Sequence, residues 1–261
     1  MLKLYSQNLW SGEIFGPLRK RLIQVRDQIH VFCFQEVLRS ANGVQPYTPL
    51  RTNLLDELTH CLPDYQPLYC NLQSEFDPES ELAPGVDFGQ AVFLHPSLTC
   101  ERQSIRFIFR TENALPSKAK APVGWGLGRA IQVVCVKDAH ATYVIGNVHG
   151  LWHPNGKGDL PERIAQSHHI VAAMEAEPVD KKIIIGDFNL LPQTRSLCII
   201  ETAGYRNLIR DYAITDTRTV FYHKSPRLAD YALVSPAVTV HDFRVDQSPI
   251  SDHAALQLDV S

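Results

Sequence analysis

Residues 2–10, Leu-Lys-Leu-Tyr-Ser-Gln-Asn-Leu-Trp, alternate as a half-buried strand does. The period then lengthens. Pro17 opens a helix in which Leu18, Leu22, Val25 and Ile29 recur four, three and four residues apart, the spacing of one helical face. Val-Phe-Cys-Phe-Gln at 31–35 is a short strand ending at Glu36, and Thr48-Pro49 caps a second helix that turns Leu54, Leu55, Leu58 and Leu62 inward. Strands are predicted over 66–73, 90–95, 104–110, 127–136 and 142–149. In 104–110, Ile105, Phe107 and Phe109 form the apolar set of the alternation. Asp159-Leu-Pro-Glu162 has the form of a capping box opening a helix to 175. A strand at 182–186, a helix at 194–203 stopped by Gly204, and strands at 230–234, 238–245 and 255–260 complete the series.

Segments 75–88, 112–126 and 153–158 are rich in Pro, Gly and charge and are predicted as loops, none long enough to be a linker. One domain is expected over 1–261. Two stretches share a plan of strand, helix and strand. In the first, Asn8 lies near the end of the first strand and Glu36 closes the second; in the other, His149 and Asp187 hold those places. Open α/β sheets bind ligands at the carboxyl ends of strands, so facing halves would bring these four side chains together.

The chain has 261 residues, 44% hydrophobic and 20% charged, which excludes a disordered or collagen-like polymer. Its formal charge of −3 carries no polybasic footprint. The six cysteines (33, 61, 70, 100, 135 and 198) show no C-x-x-C pair or metal spacing, and Cys33 and Cys135 lie in apolar runs as small hydrophobes. With no apolar run approaching a membrane span and no leader-like start, a reduced, cytoplasmic protein is expected.

Several polar residues are not needed for the pattern. In Ile183-Ile-Ile-Gly-Asp-Phe-Asn189, Asp187 and Asn189 leave a buried strand facing the same way, either as a proton-accepting or metal-binding pair or as an Asx turn. Asp252 in Ser-Asp-His is a hard-cation donor or a surface acid, and His253 a base, a phosphate donor or a turn residue. Asp230 opens an apolar strand and could hold His253 in one tautomer, or form a surface ion pair. Glu36 could bind Mg²⁺ or be a solvated acid; Asn8 could be a turn amide and His149 a satisfied half-buried histidine.

Taken as an ordered set, an early strand Asn, a strand-end Glu, a strand-end His, G-D-x-N, D-Y before a strand and S-D-H, these residues resemble the endonuclease/exonuclease/phosphatase superfamily from Asn8 to His253. The resemblance implies an α+β fold, a four-layer αββα sandwich of two mainly antiparallel sheets flanked by helices. It implies a metal-dependent phosphoric ester hydrolase using Mg²⁺, for which Mn²⁺ could substitute. By position, Glu36 would be the principal metal ligand, assisted by Asn8 and Asp252. Asp187 would orient or deprotonate the attacking water, and Asn189 would hold a phosphate oxygen. His253, oriented by Asp230, and His149 would stabilise the pentacovalent phosphorane. Arg163 and Gln166 in an R-x-x-Q helix start, and Thr217-Arg218-Thr219 with Tyr222, are similar to an uncharacterised bacterial branch. Arg218 could clamp a phosphate or form a structural salt bridge. Trp152, His153, Asn155 and Lys157 could shape a substrate pocket or cover its rim, and Arg129 is expected to order a sheet edge.

The loops lack the Arg/Lys clusters interleaved with aromatics that a duplex-binding nuclease would use, and Arg19-Lys20-Arg21 with Arg26 falls on the polar face of a helix. Hydrolysis of a small or single-stranded phosphodiester is therefore the leading expectation, by a monomer. A DNA or RNA nuclease comes next, and a silent phospho-ligand or protein-binding scaffold after it. Setting aside Glu36, Asp187, Asp230 and Asp252 leaves 24 acids against 25 bases, so the negative excess is no larger than the proposed site's own. A local basic groove stays compatible with that count.

Overall fold

Two six-stranded sheets account for the alternating runs. The computed structural model describes residues 1–40, 50–74, 85–111 and 127–261, so the expected Thr48-Pro49 cap and most of the first two loops lie outside it. The strands are β1 (Leu2–Asn8), β2 (Val31–Ser40), β3 (Gln66–Gln73), β4 (Val86–Leu94), β5 (Thr99–Phe109) and β6 (Arg129–Lys137), followed by β7 (Thr142–His149), β8 (Lys182–Asp187), β9 (Arg206–Asn207), β10 (Asp230–Val234), β11 (Val240–Asp246) and β12 (Ala255–Val260). The helices are α1 (Phe15–Val25), α2 (Leu54–Cys61), α3 (Pro161–Glu175), α4 (Arg195–Thr202) and the one-turn α5 (Leu208–Asp211), which periodicity does not announce.

One sheet runs β11-β12-β1-β2-β4-β3 and the other β5-β6-β7-β8-β10-β9. Each has a single parallel pair, β1–β2 and β7–β8; every other pairing is antiparallel. A helix links the two strands of each parallel pair, as a parallel connection requires. The two stretches that share a plan in sequence thus sit at the centre of the two sheets.

The stripe Leu18, Leu22, Val25 and Ile29 packs with Leu54 and Leu58 of α2 on Tyr5, Phe32, Phe34 and Phe93, the outer face of the first sheet. Burying each such leucine is worth roughly 1.5–3 kcal/mol. Leu4, Val31, Cys33 and Val92 join Val133, Cys135 and Ile184 in the larger core shared with the second sheet. The layers are therefore those expected: helix, sheet, sheet, helix.

Three local readings change. Strand β2 does not stop at Gln35 but runs to Ser40, and Glu36 is an extra residue between the Gln35–Gln90 and Val37–Gly89 pairs, with a left-handed φ of 56°. In β5, Ile108 sits at a register shift between Phe107 and Phe109 and is inward at 1% exposure, Ile105 ahead of it is 40% exposed, and Phe107 and Phe109 are half-buried, so the expected alternation fails at Ile105 and Ile108. Asp159 does not cap α3. Its carboxylate accepts from the Arg195 and Ser196 amides at 2.8 and 2.9 Å, capping α4 together with Thr194.

Candidate active site

The ends of β1, β7 and β8 meet across the gap between the sheets. Asn8 closes β1, and its Nδ2 donates to Glu36 Oε1 at 3.1 Å and to Asp187 Oδ2 at 3.2 Å, linking an acid from each sheet. Its Oδ1 accepts from the Trp10 amide at 3.0 Å, which directs the amide nitrogen toward the acids. Even-numbered side chains of β2, such as Phe32 and Phe34, face the outer helices. The bulge takes Glu36 out of that alternation and brings it to Asn8. His149 closes β7 beside Asp187, with Nε2 3.8 Å from Glu36 Oε1, and its buried Nδ1 has no hydrogen-bond partner.

Gly186 allows Asp187 its position. At φ 142°, a Cβ there would lie 2.2 Å from the Val148 carbonyl oxygen. Asn189, itself left-handed, donates its amide N–H to Asp187 Oδ1 at 2.9 Å and its Nδ2 to Oδ2 at 3.2 Å. The Asx turn and the shared facing of Asp187 and Asn189 are thus one arrangement.

Across the cavity, His253 Nδ1 lies 2.8 and 3.0 Å from the two oxygens of Asp230, and Nε2 lies 3.6 Å from Asp187 Oδ2. Thr217 Oγ1 donates to Asp230 at 2.8 Å, and Gln7 Nε2 holds the His253 carbonyl at 2.8 Å. Burial favours the uncharged forms, lowering the proton affinity of His253 and raising that of Asp230. His149 is pushed well below the usual imidazole range by burial and by nearby Arg129. Both imidazoles are neutral at pH 7.

These groups border a cavity of about 540 Å³. Of the residues singled out above, Glu36, Trp152, Lys157, Asp187, Asn189, Arg218, Asp252 and His253 line it, whereas Asn8, His149 and Asp230 do not. His153 and Asn155 are not part of that lining among the described residues. Arg129 corrects the expectation of a sheet-edge role: it is 2% exposed and lines the cavity near Glu36 and Asp187. Arg218 forms the salt bridge offered as one of its two readings, and it lines the cavity. Nη1 pairs with Asp252 at 2.6 Å, the guanidinium stacks 4.3 Å from the Tyr222 ring, and the buried Nε has no partner. Lys157 reaches inward from its loop to the Leu228 carbonyl at 2.9 Å. The R-x-x-Q residues hold the adjoining wall: Arg163 donates to the Leu151 carbonyl, and Gln166 accepts from the Leu151 amide at 2.7 Å.

Two groups of side chains could be weighed for a cation. Asp187, Asp230 and His253 have ligand atoms within 4.8 Å of one another. Of the His253 nitrogens, Nδ1 is already engaged by Asp230, which leaves Nε2, 3.6 Å from Asp187, as the ligand atom that trio could offer. Glu36 and Asp252 are the alternative, hard oxygen donors on the cavity wall. The proton affinity of Glu36 is raised to about 7 by burial, and then by the charges of Asp252 and Asp187 against the Asn8 hydrogen bond. The side chain keeps 28% exposure toward the cavity, where a cation can reach it. A crowded set of carboxylates of this kind fits a divalent cation.

Trp10 and Phe221 are residues at the cavity that the sequence pattern does not single out. Thr217 had a signal in its threonine–arginine–threonine setting, whereas Trp10 reads as the end of an alternating strand.

The pattern of the Endonuclease/Exonuclease/phosphatase family matches residues 5–253. No curated protein matches the sequence. Among solved structures, an endonuclease/exonuclease/phosphatase from Beutenbergia cavernae superposes with a TM-score of 0.72 at 17% identity, over 99% of this chain and 71% of that one. A family protein from Leptotrichia buccalis gives 0.72 at 15% identity, and a mannosyl-6-phosphatase from Bacteroides thetaiotaomicron 0.71 at 15%, each over the whole of both chains. At such identities the superpositions speak for the fold, which is the four-layer sandwich found here. With the family pattern spanning both sheets and every acid of the cavity, the chain belongs to the endonuclease/exonuclease/phosphatase family, whose members hydrolyse phosphoester bonds.

Proposed function

We propose that the protein is a divalent-cation-dependent hydrolase of phosphodiesters, with Mg²⁺ as its working cation. The observation that carries this reading is the line Asp230–His253–Asp187, 2.8 and 3.6 Å between successive groups, beside Glu36, which shares the Asn8 amide with Asp187, and Asp252, 3.9 Å from His253, at one cavity. A cation held by Glu36 and Asp252 supplies Lewis-acid withdrawal of charge from the phosphoryl oxygens. The Asn8 carbonyl oxygen is engaged by Trp10, so in this reading Asn8 orients Glu36 and Asp187 rather than adding an oxygen ligand.

Asp187, fixed by donors from Asn8 and Asn189, accepts a hydrogen bond from the attacking water and directs its lone pair at phosphorus. With Nδ1–H given to Asp230, His253 keeps Nε2 as its basic nitrogen. That nitrogen takes the proton the attacking water loses as its oxygen bonds to phosphorus. The resulting imidazolium, balanced by Asp230, donates to the phosphoryl oxygens and returns the proton to the leaving oxygen as its bond to phosphorus breaks. The Asn189 amide, on the cavity wall, offers a donor to the same oxygens, and His149, outside that lining with Nε2 3.8 Å from Glu36, positions that acid. Arg218, with an unpaired Nε, and Lys157 hold the substrate's negative charge.

Turnover of bis-p-nitrophenyl phosphate against p-nitrophenyl phosphate, with Mg²⁺ or EDTA, tests this. Diester hydrolysis that EDTA abolishes, and that Asp187→Ala lowers at least ~10²-fold, is the expected result. Failure to bind Mg²⁺ at millimolar concentration overturns it.

A further inference from the structure

Trp10 and Ser11 both hold left-handed backbone, at φ 49° and 48°, and Gly12 follows at 75°. A positive φ is a real outlier for a bulky residue, and such conformations persist only where the surroundings over-determine them. Here they do. The Trp10 amide donates to Asn8 Oδ1, the Gly12 amide to the Leu9 carbonyl at 2.9 Å, and the Arg51 amide to the Ser11 carbonyl at 2.9 Å. The outcome is an indole on the cavity wall two residues after Asn8.

Phe221 reaches the same wall from the opposite end of the chain, three residues after Arg218, with its ring centroid 6.4 Å from that of Trp10. Among the described residues, neither ring belongs to any of the hydrophobic cores. Packing of the core therefore does not account for them. The cavity has two chemistries: Asp187, Arg218 and Lys157 supply charge, and Trp10 with Phe221 supply flat apolar surface. At about 540 Å³ it has the size of a small-molecule site.

We propose that Trp10 and Phe221 are specificity-determining residues, and that the substrate is a small phosphoester whose organic part carries a flat aromatic or heteroaromatic ring lying on their shared wall. This assignment rests on the reading of the cavity as a phosphoester site. Ring faces on such a wall gain stacking and apolar burial that a bare sugar does not.

Adenosine 5′-monophosphate and ribose 5-phosphate carry the same phosphate on the same 5′-oxygen and differ in the ring, so their binding isolates it. Calorimetric titrations use Asp187→Ala with Mg²⁺ present, which suppresses turnover. The nucleotide is expected to bind about tenfold tighter or more. Adding Trp10→Leu or Phe221→Ala to that protein brings the preference to within about twofold. Phe221→Ala, which leaves the residues of the strained turn unchanged, serves where Trp10→Leu lowers the melting temperature. Equal binding of the two ligands, or an undiminished preference in both variants, overturns the proposal. A preference that persists in a protein without cation-dependent hydrolysis overturns the enzymatic reading and leaves the ring wall standing.

Discussion

Lys157 lies in a loop whose neighbours Gly156 and Gly158 are exposed, yet it is buried with its ammonium against a backbone carbonyl. Burial, and then the positive charge of Arg218, pull its pKa down to about 8, against the partial support of Asp187, Asp230 and Asp252. Below pH 8 the group is a cation in the cavity; above it, a neutral amine. If it holds substrate charge as proposed, kcat/KM for a phosphoester falls as pH rises through about 8. Lys157→Arg, with a guanidinium that stays charged in proteins, removes that fall. A pH–rate profile of the two proteins checks it. Single residues were legible where their chemistry was surplus to the pattern: Asn8, His149, Asp187 and Asp230 end or begin apolar strands that do not need them. Arg129 and Trp10 were not, because one is a charge inside an apolar run and the other owes its direction to backbone torsions no spacing records.

Elements were read well where no register shift interrupts them, as in β7 and β10, and poorly where the period broke: the helix expected through Ile29 ends at Val25, a 3-10 turn follows, and Ile29 is extended. The bulge at Glu36 is the clearest case. Strict alternation would turn Glu36 outward among the phenylalanines of β2, and only an extra residue with left-handed φ sends it to Asn8. The same irregularity misdirects the reading of Ile108 in β5. Caps fail for a different reason: a carboxylate ahead of one helix can serve another that is distant in sequence. Asp159 does this, tying the start of α3 to the first turn of α4. Asp159→Ala is expected to cost about 1 kcal/mol, since Thr194 retains its own cap bond. Urea unfolding measures it, with a lowered midpoint and an unchanged m-value as the expected signature.

At the scale of the molecule, the sheets were legible as two similar halves, but what joins them was not. Their shared interior is apolar except for a layer of amides. Gln35 Nε2 donates to Asn147 Oδ1 at 2.6 Å, Gln90 Nε2 to the Asn147 carbonyl at 2.9 Å, and Gln132 Nε2 to the Leu68 carbonyl at 2.8 Å, each bond crossing from one sheet to the other. Asn147→Leu strands buried donors and acceptors, with an expected loss of about 3 kcal/mol in denaturant unfolding. Apolar contact is indifferent to direction, and two greasy faces can slide over one another at little cost. Amide bonds cannot follow such a slide. They act as dowels that fix how far each sheet sits along the other. Every distance that spans the cavity, from Glu36 on one sheet to Asp187 on its neighbour, inherits its accuracy from that alignment.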